Sequence, residues 1–476
     1  MRFPMIMSVS RSLLPLAIGT LAFASCATER DPVEDEQTAD DTGTQVPTMN
    51  VCNGGRWQCK SHVQVDTHRR ITPSATPRGL GPADLTSAYK LDPNRTSTAT
   101  IAIVDAFNYP NAESDLASYR SQFGLPACTK ANGCLRVVNQ NGATSPLPAN
   151  SPAGDDWTVE AALDLDMASA ACPTCKLILI EAQDDSGNGL FVAQNTAASL
   201  GAVVVSDSWG GPSDGTDATL DSQFFTHTQA ITTFVASGDS GNTGTTPDYP
   251  STSLKVVGVG GTHLVKSTTA ARGWTETAWS GAGSSCSKLL AKPAFQSVVP
   301  AAACARRAAA DVSAVADPNT GLAVFNAGSG GFIVVGGTSA ASPFVAAIYA
   351  RYGISGASHD ASYAYAHPCE LFDVTSGSNG TCTSALCRAA AGWDGPTGLG
   401  TPNGATFGLG TTCGVTTPPP TTCSHLLCST GAALVSGCNS CATSVCAADS
   451  FCCNNSWDSI CVGETTSVCG LACPGN

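Results

Sequence analysis

The reading that decides the fold starts at Gly336-Gly337-Thr338-Ser339-Ala340-Ala341-Ser342-Pro343. An apolar, β-branched run, 332–335, precedes it, and a run of helical composition, 340–352, follows. Strand, paired glycines and helix in that order make a sharp turn that sets Ser339 at a helix N-terminus. Free N–H groups and the helix dipole there favour a developing negative charge, which suits a nucleophile. The same position also suits an ordinary helix cap.

Working outward, apolar β-rich runs fall at 99–104, 177–180, 202–205, 232–236 and 255–259. Helical stretches at 115–123, 157–170, 190–200 and 217–230 alternate with them. Strands apolar throughout and separated by helices predict a parallel sheet covered on both faces, with chemistry at the carboxyl ends of its strands. Gly-Thr-Ser-Ala-x-x-Pro around Ser339 resembles the nucleophile motif of subtilisin-like folds, which favours the nucleophile over the cap.

A serine nucleophile needs a base. None of the seven histidines lies in the His-Gly-Thr-His setting of subtilisins, and His263 reads as structural. Glu160 and Asp164, four apart on the predicted helix, project from one face with Val159, Leu163 and Met167 around them. On a surface helix such a pair is mildly repulsive and idle. Buried, it shares a proton and can accept another in acid, where histidine is already charged. Asp239, in the Gly-flanked turn Ser237-Gly238-Asp239-Ser240-Gly241, reads either as a turn aspartate or as a protonated acid donating to an oxyanion.

The ordered set Glu160, Asp164, Asp239, Ser339 resembles the sedolisin family of serine-carboxyl peptidases. So do Asp248-Tyr249-Pro250, the run Val256 to Thr262, and the block from Arg307 to Pro318. The resemblance spans about residues 75–412. It implies a subtilisin-like three-layer α/β fold with a mostly parallel central sheet, a Ser339-Glu160-Asp164 triad and Asp239 as oxyanion donor. Asp105, which imitates the subtilisin aspartate, then reads as structural. The resemblance also implies one structural Ca²⁺, with carboxylates from Asp373 and Asp394 and carbonyls from Val374, Ala390 and Gly392; Cys382 and Cys387 are inserted in that loop. Ser208, Trp209 and Gly210 resemble the family's substrate-cleft strand, where glycine admits a peptide backbone; a plain strand-to-turn transition is the other reading.

The 476 residues carry a formal charge of −14, which argues against nucleic acid or an anionic membrane surface as partner. Residues 1–25 read as an export signal. Cleavage after Ala24 and lipidation of Cys26, which would tether the protein to an outer membrane, both fit. Of 23 cysteines, removing Cys26 leaves an even set, and export implies disulfides. Cys52–Cys59, Cys128–Cys134, Cys172–Cys175 and Cys286–Cys304 are the expected local pairs. Residues 26–74 read as an acidic tether, 75–412 as the peptidase domain, 413–422 as a Pro/Thr linker, and 423–476, with ten cysteines, as a disulfide-rich module. The family's long folded propeptide has no counterpart in the roughly 50 residues after the signal. The expected function is a secreted, monomeric endopeptidase acting on polypeptides in acid through an acyl-enzyme on Ser339. A binding protein on a peptidase scaffold and a tripeptide-releasing exopeptidase are the alternatives.

Overall fold

The structure, a computed structural model, describes residues 38–39, 45–355, 361–410, 423–435, 438–469, 471 and 473. The expected signal, Cys26 and the linker lie outside the described residues. After a two-residue antiparallel pair, Thr38–Ala39 with Gln45–Val46, come three short strands: β1 (Thr48–Asn50), β2 (Gln58–Cys59) and β3 (His62–Gln64). Next are β4 (Thr100–Ala106), β5 (Leu135–Asn139), β6 (Lys176–Ala182) and β7 (Val204–Asp207). β8 (Trp209–Pro212) branches off, followed by β9 (Thr232–Ala236), β10 (Asp248–Tyr249), β11 (Val256–Lys266), β12 (Trp274–Ala278) and β13 (Val312–Val315). β14 (Leu322–Asn326) and β15 (Gly331–Gly336) form a hairpin.

The central sheet runs β12-β11-β9-β7-β4-β6-β5, with β13 also on β11. All its pairings are parallel except β11 with β12. β4, β7 and β9 are buried along almost their whole length, as expected of strands covered on both faces. Each buried Val, Ile or Leu there contributes about 1.5–3 kcal/mol. The helices that matter for the site are α1 (Trp157–Ala171) and α2 (Thr338–Tyr352), which pack on each other. Both are buried on nearly every side, so α1 carries Glu160, Asp164 and Asp166 into the interior. The helix expected over 217–230 ends at Phe224.

One boundary needs correction. Residues 45–74 are not a solvated tether. β1 and β3 extend the β14–β15 hairpin into a four-stranded sheet, and Val51, Trp57, Val63 and Val65 are buried. The acidic character of the preceding stretch masked these four apolar residues. Cys52–Cys59 closes a loop between β1 and β3, as expected.

The remaining expected pairs form: Cys128–Cys134, Cys172–Cys175 and Cys286–Cys304, together with Cys382–Cys387. Residues 423–473 enclose a separate small core around Leu434, Ala442, Val445 and Trp457, bound by five disulfides. No helix among the described residues is long and apolar enough to cross a membrane.

Candidate active site

β15 delivers the chain to Gly337, whose φ of +108° only glycine adopts readily, and α2 starts at Thr338. A methyl group on Gly337 would strike both the Lys60 carbonyl and Asp239 Oδ2, so a side chain is excluded twice over. Asp239 stands just past the carboxyl end of β9 and caps α2: its Oδ1 accepts from the Thr338 amide at 2.8 Å and the Thr338 hydroxyl at 2.7 Å. Its buried Oδ2 has no hydrogen-bond partner among the described residues. His62 Nε2 lies 3.3 Å from that atom.

Ser339 is fully buried. Its hydroxyl donates to the Ser208 carbonyl at 3.2 Å and accepts from the Lys60 amide at 3.0 Å. Glu160 is the acid next to it. Burial and the neighbouring charge of Asp105 push the Glu160 carboxyl well above its ordinary range, while the Ser339 and Ser61 hydroxyls pull the other way. Ser61 donates to Glu160 Oε2. Asp164 accepts from the Ser208 hydroxyl at 2.8 Å and is raised likewise, by burial first and then by Asp105 and Glu160. The structure therefore brings Ser339, Glu160, Asp164 and Asp239 together around one point.

Sequence reasoning set Asp105 aside as structural, yet it is the third member of the acid cluster. It is buried, neither carboxyl oxygen has a hydrogen-bond partner among the described residues, and burial with the Glu181 charge raises it to about 8. Its place at the carboxyl-terminal end of β4, where such sheets gather chemistry, was the signal that could have found it.

Of the residues expected to form a substrate cleft, Trp209 and Gly210 lie on β8 and Ser208 just before it. β8 pairs antiparallel with β2, Trp209 opposite Cys59 and Gly210 opposite Gln58. The Trp209 side chain takes no part: it is buried, and its indole donates to the Val104 carbonyl at 3.0 Å. Gly210 is crowded by the Tyr249 carbonyl, Asp248 and the Lys60 side chain. Lys60 and Ser61 are site residues that sequence reasoning misses, because 26–74 reads as a tether; Asp248, quoted above only as part of a motif, pairs with the Lys60 ammonium at 2.6 Å.

Away from this point, Asp373 and Asp394 converge. Asp373 Oδ2 accepts from the Gly392 amide at 2.9 Å, and Asp394 accepts from Ala390 and Thr397. Burial raises both, Asp394 to about 7, with the Asp373 charge adding to it. Neither has a basic partner among the ion pairs of the described residues. Two such acids, with the Val374, Ala390 and Gly392 carbonyls in the same loops, make an all-oxygen donor set of the kind Ca²⁺ takes. The Cys382–Cys387 bridge closes only its own short loop and does not part them.

Comparisons with known proteins agree with this geometry. Kumamolisin from Bacillus sp. (strain MN-32) is 32% identical over 367 residues, covering 70% of this chain and 63% of the relative. Sedolisin from Pseudomonas sp. (strain 101) is 31% identical over 371 residues, covering 69% and 60%. The chain belongs to the sedolisin family. A solved structure of Pseudomonas sedolisin (serine-carboxyl proteinase), complexed with two molecules of pseudo-iodotyrostatin, matches this family member's fold. Its TM-score is 0.59 at 26% identity, over 70% of this chain and 98% of that one. The Subtilase family model matches residues 152–353, and a domain of unknown function matches 421–473. The family relatives are longer: the chain spans about three fifths of the curated sequences it matches. A shorter stretch of 104 residues is 43% identical to tripeptidyl-peptidase sed1 of Aspergillus fumigatus.

Proposed function

We propose that the protein is a secreted serine-carboxyl peptidase that hydrolyses peptide bonds in acid. The observation that carries this reading is the buried Glu160 beside the Ser339 hydroxyl, with Asp164 close to Glu160 and bonded to the Ser208 hydroxyl. Ser339 attacks a carbonyl carbon while Glu160 takes its proton, and Asp164 shares that proton load. The oxyanion gains the Ser339 amide and the Asp239 carboxyl as donors. Substrate would take the place that β2 holds on β8, reading Ser208 and Gly210 through their backbones. A calcium ion held by Asp373, Asp394 and the carbonyls of Val374, Ala390 and Gly392 would fix the loops beneath β13; it takes no part in the chemistry.

The test is hydrolysis of denatured protein across about pH 3 to 8, comparing wild type with Ser339→Ala and Glu160→Gln. Loss of activity in both variants, with their folds retained, is expected; activity surviving in either removes the site. The partial likeness to a tripeptidyl-peptidase supports a second reading of product size. Mass analysis of the products separates internal cuts from stepwise release of tripeptides.

A further inference from the structure

The helix that carries the acids is held from behind. At about 100° per residue, helix geometry sets Thr158 and Asp166 on the face of α1 opposite Glu160 and Asp164. That far face meets β14. Asp166 Oδ2 accepts from the Phe325 amide at 3.1 Å. The Asn326 side-chain amide donates to the Thr158 carbonyl at 3.2 Å and to the Thr158 hydroxyl oxygen at 3.3 Å. The two attachments bracket the catalytic pair, one in the first turn of α1 and one beyond Asp164.

β14 is the edge strand of its sheet, in the order β14-β15-β3-β1. An edge strand leaves alternate amides without a strand partner. Here they are taken up one after another. Ala323 donates to the Leu80 carbonyl at 3.0 Å, Phe325 to Asp166, and Ala327, just past the strand, to Asp115 Oδ2 at 3.0 Å. The hairpin partner β15 pairs with β14 from Leu322 opposite Val335 to Asn326 opposite Gly331. It then runs through Gly336 and Gly337 into Ser339. One hairpin thus holds the base by the back of its helix and the nucleophile by the end of its strand.

Stability alone does not account for a carboxyl at position 166. Asp166 is buried and makes no ion pair among the described residues. The Arg120 guanidinium bonds instead to the Pro126 and Pro173 carbonyls and the Ser169 hydroxyl. Burial holds the Asp166 carboxyl well above its ordinary range, against the pull of the Phe325 amide. A buried acid without an ion pair costs stability, and an apolar side chain would fill the space without that cost. What the carboxyl adds is an acceptor with a direction. Asn326 is buried too, and its Oδ1 accepts from the Ser329 amide at 2.7 Å, which aims its amide group at Thr158.

We propose that Asp166 and Asn326 are positioning residues, which fix the approach of Glu160 to Ser339 by tying the far face of α1 to the hairpin that delivers the serine. The proposal rests on the peptidase reading. Neither side chain touches substrate; both act through Glu160. Proton transfer needs base and hydroxyl within hydrogen-bond reach, and a displacement of about 1 Å costs on the order of a hundredfold in rate. A shift of α1 therefore tells on the chemical step, while substrate binding along β8 is left as it was.

The test compares kcat and KM for a peptide substrate in acid, with the melting temperature of each protein measured alongside. Asp166→Ala and Asn326→Ala should each lower kcat at least about tenfold and leave KM unchanged, the pattern of an interaction that acts only in the transition state. Asp166→Asn should restore kcat, because its amide oxygen still accepts from Phe325. The two alanine variants break different attachments, so either one that folds decides the matter. A folded alanine variant with kcat unchanged, whatever its melting temperature, overturns the proposal. So does a change confined to KM, or an Asp166→Asn as slow as Asp166→Ala. In each of these cases wild type still hydrolyses the substrate, and the peptidase reading stands. Absence of hydrolysis by wild type overturns both.

Discussion

The peptidase domain and the cysteine-rich module hold themselves together differently. The domain has a continuous apolar core spanning strands and helices, and its Cys128–Cys134, Cys172–Cys175 and Cys382–Cys387 bridges each close only a short local loop. The module has a handful of core side chains and leaves Leu426 77% and Ile460 64% exposed, while Cys428–Cys473 spans 45 residues. A chain of roughly 50 residues cannot bury enough apolar surface to fold alone, so cross-links replace the core. The domain can therefore spend its interior on a cluster of buried acids, and the module cannot.

The sharpest way to break this contrast is at the nucleophile. Ser339→Ala should lower hydrolysis more than about a thousandfold, while deletion of 423–476 should leave the rate unchanged; loss of activity on deletion would tie the module to catalysis. Cross-links come next. In the chain-entropy picture Cys428–Cys473 is worth about 4 kcal/mol and Cys128–Cys134 about 2. Serine at both positions of the first pair should unfold the module, and at both of the second only lower the domain's melting temperature, as read by calorimetry.

The acid cluster gives a pH signature that the module lacks. Asp105 is raised to about 8, and Glu181 and Asp394 to about 7, all by burial first. Unfolded carboxyls titrate near 4. The folded domain thus binds more protons than the unfolded chain between these values. Its stability is fullest below about pH 4 and declines as pH rises toward 7 to 8, by up to roughly 1.4 kcal/mol per pH unit for each group. A melting temperature that rises over that window would contradict the burial of these acids. A calcium ion bound at the proposed site would oppose the Asp394 part of this loss, so chelation near neutral pH should lower the domain's melting temperature by a few degrees. Asp373→Asn should abolish that response. The smallest expected effect is on the rate profile: with its carboxyl raised to about 8, Asp105 is uncharged in acid, so Asp105→Asn should leave the acid limb of kcat/KM in place, and a shift of a full pH unit would contradict its burial as a neutral acid.

The alternation of strand and helix was legible because β4, β7 and β9 are buried on both faces and so are apolar throughout. Glu160 and Asp164 could be picked out because helix periodicity puts them on one face. Burial itself is a tertiary property, and it separates them from an idle surface pair. For the same reason Asp105 was set aside: nothing within its strand says that a neighbouring helix will lay two more acids against it. Residues 45–74 were misread because their role depends on partners far along the chain, Ser208 and Ser339 above all. β5 escaped notice because Arg136 and Asn139 interrupt its short apolar run.

Trp57 turns the segment that bears β2 into its own reporter. Its indole is buried against Phe191 and Trp209, so it would meet water in any state in which the segment leaves β8. Emission from this ring should then shift to longer wavelength, so the uncovering of the serine can be followed by light, in real time and without any added dye.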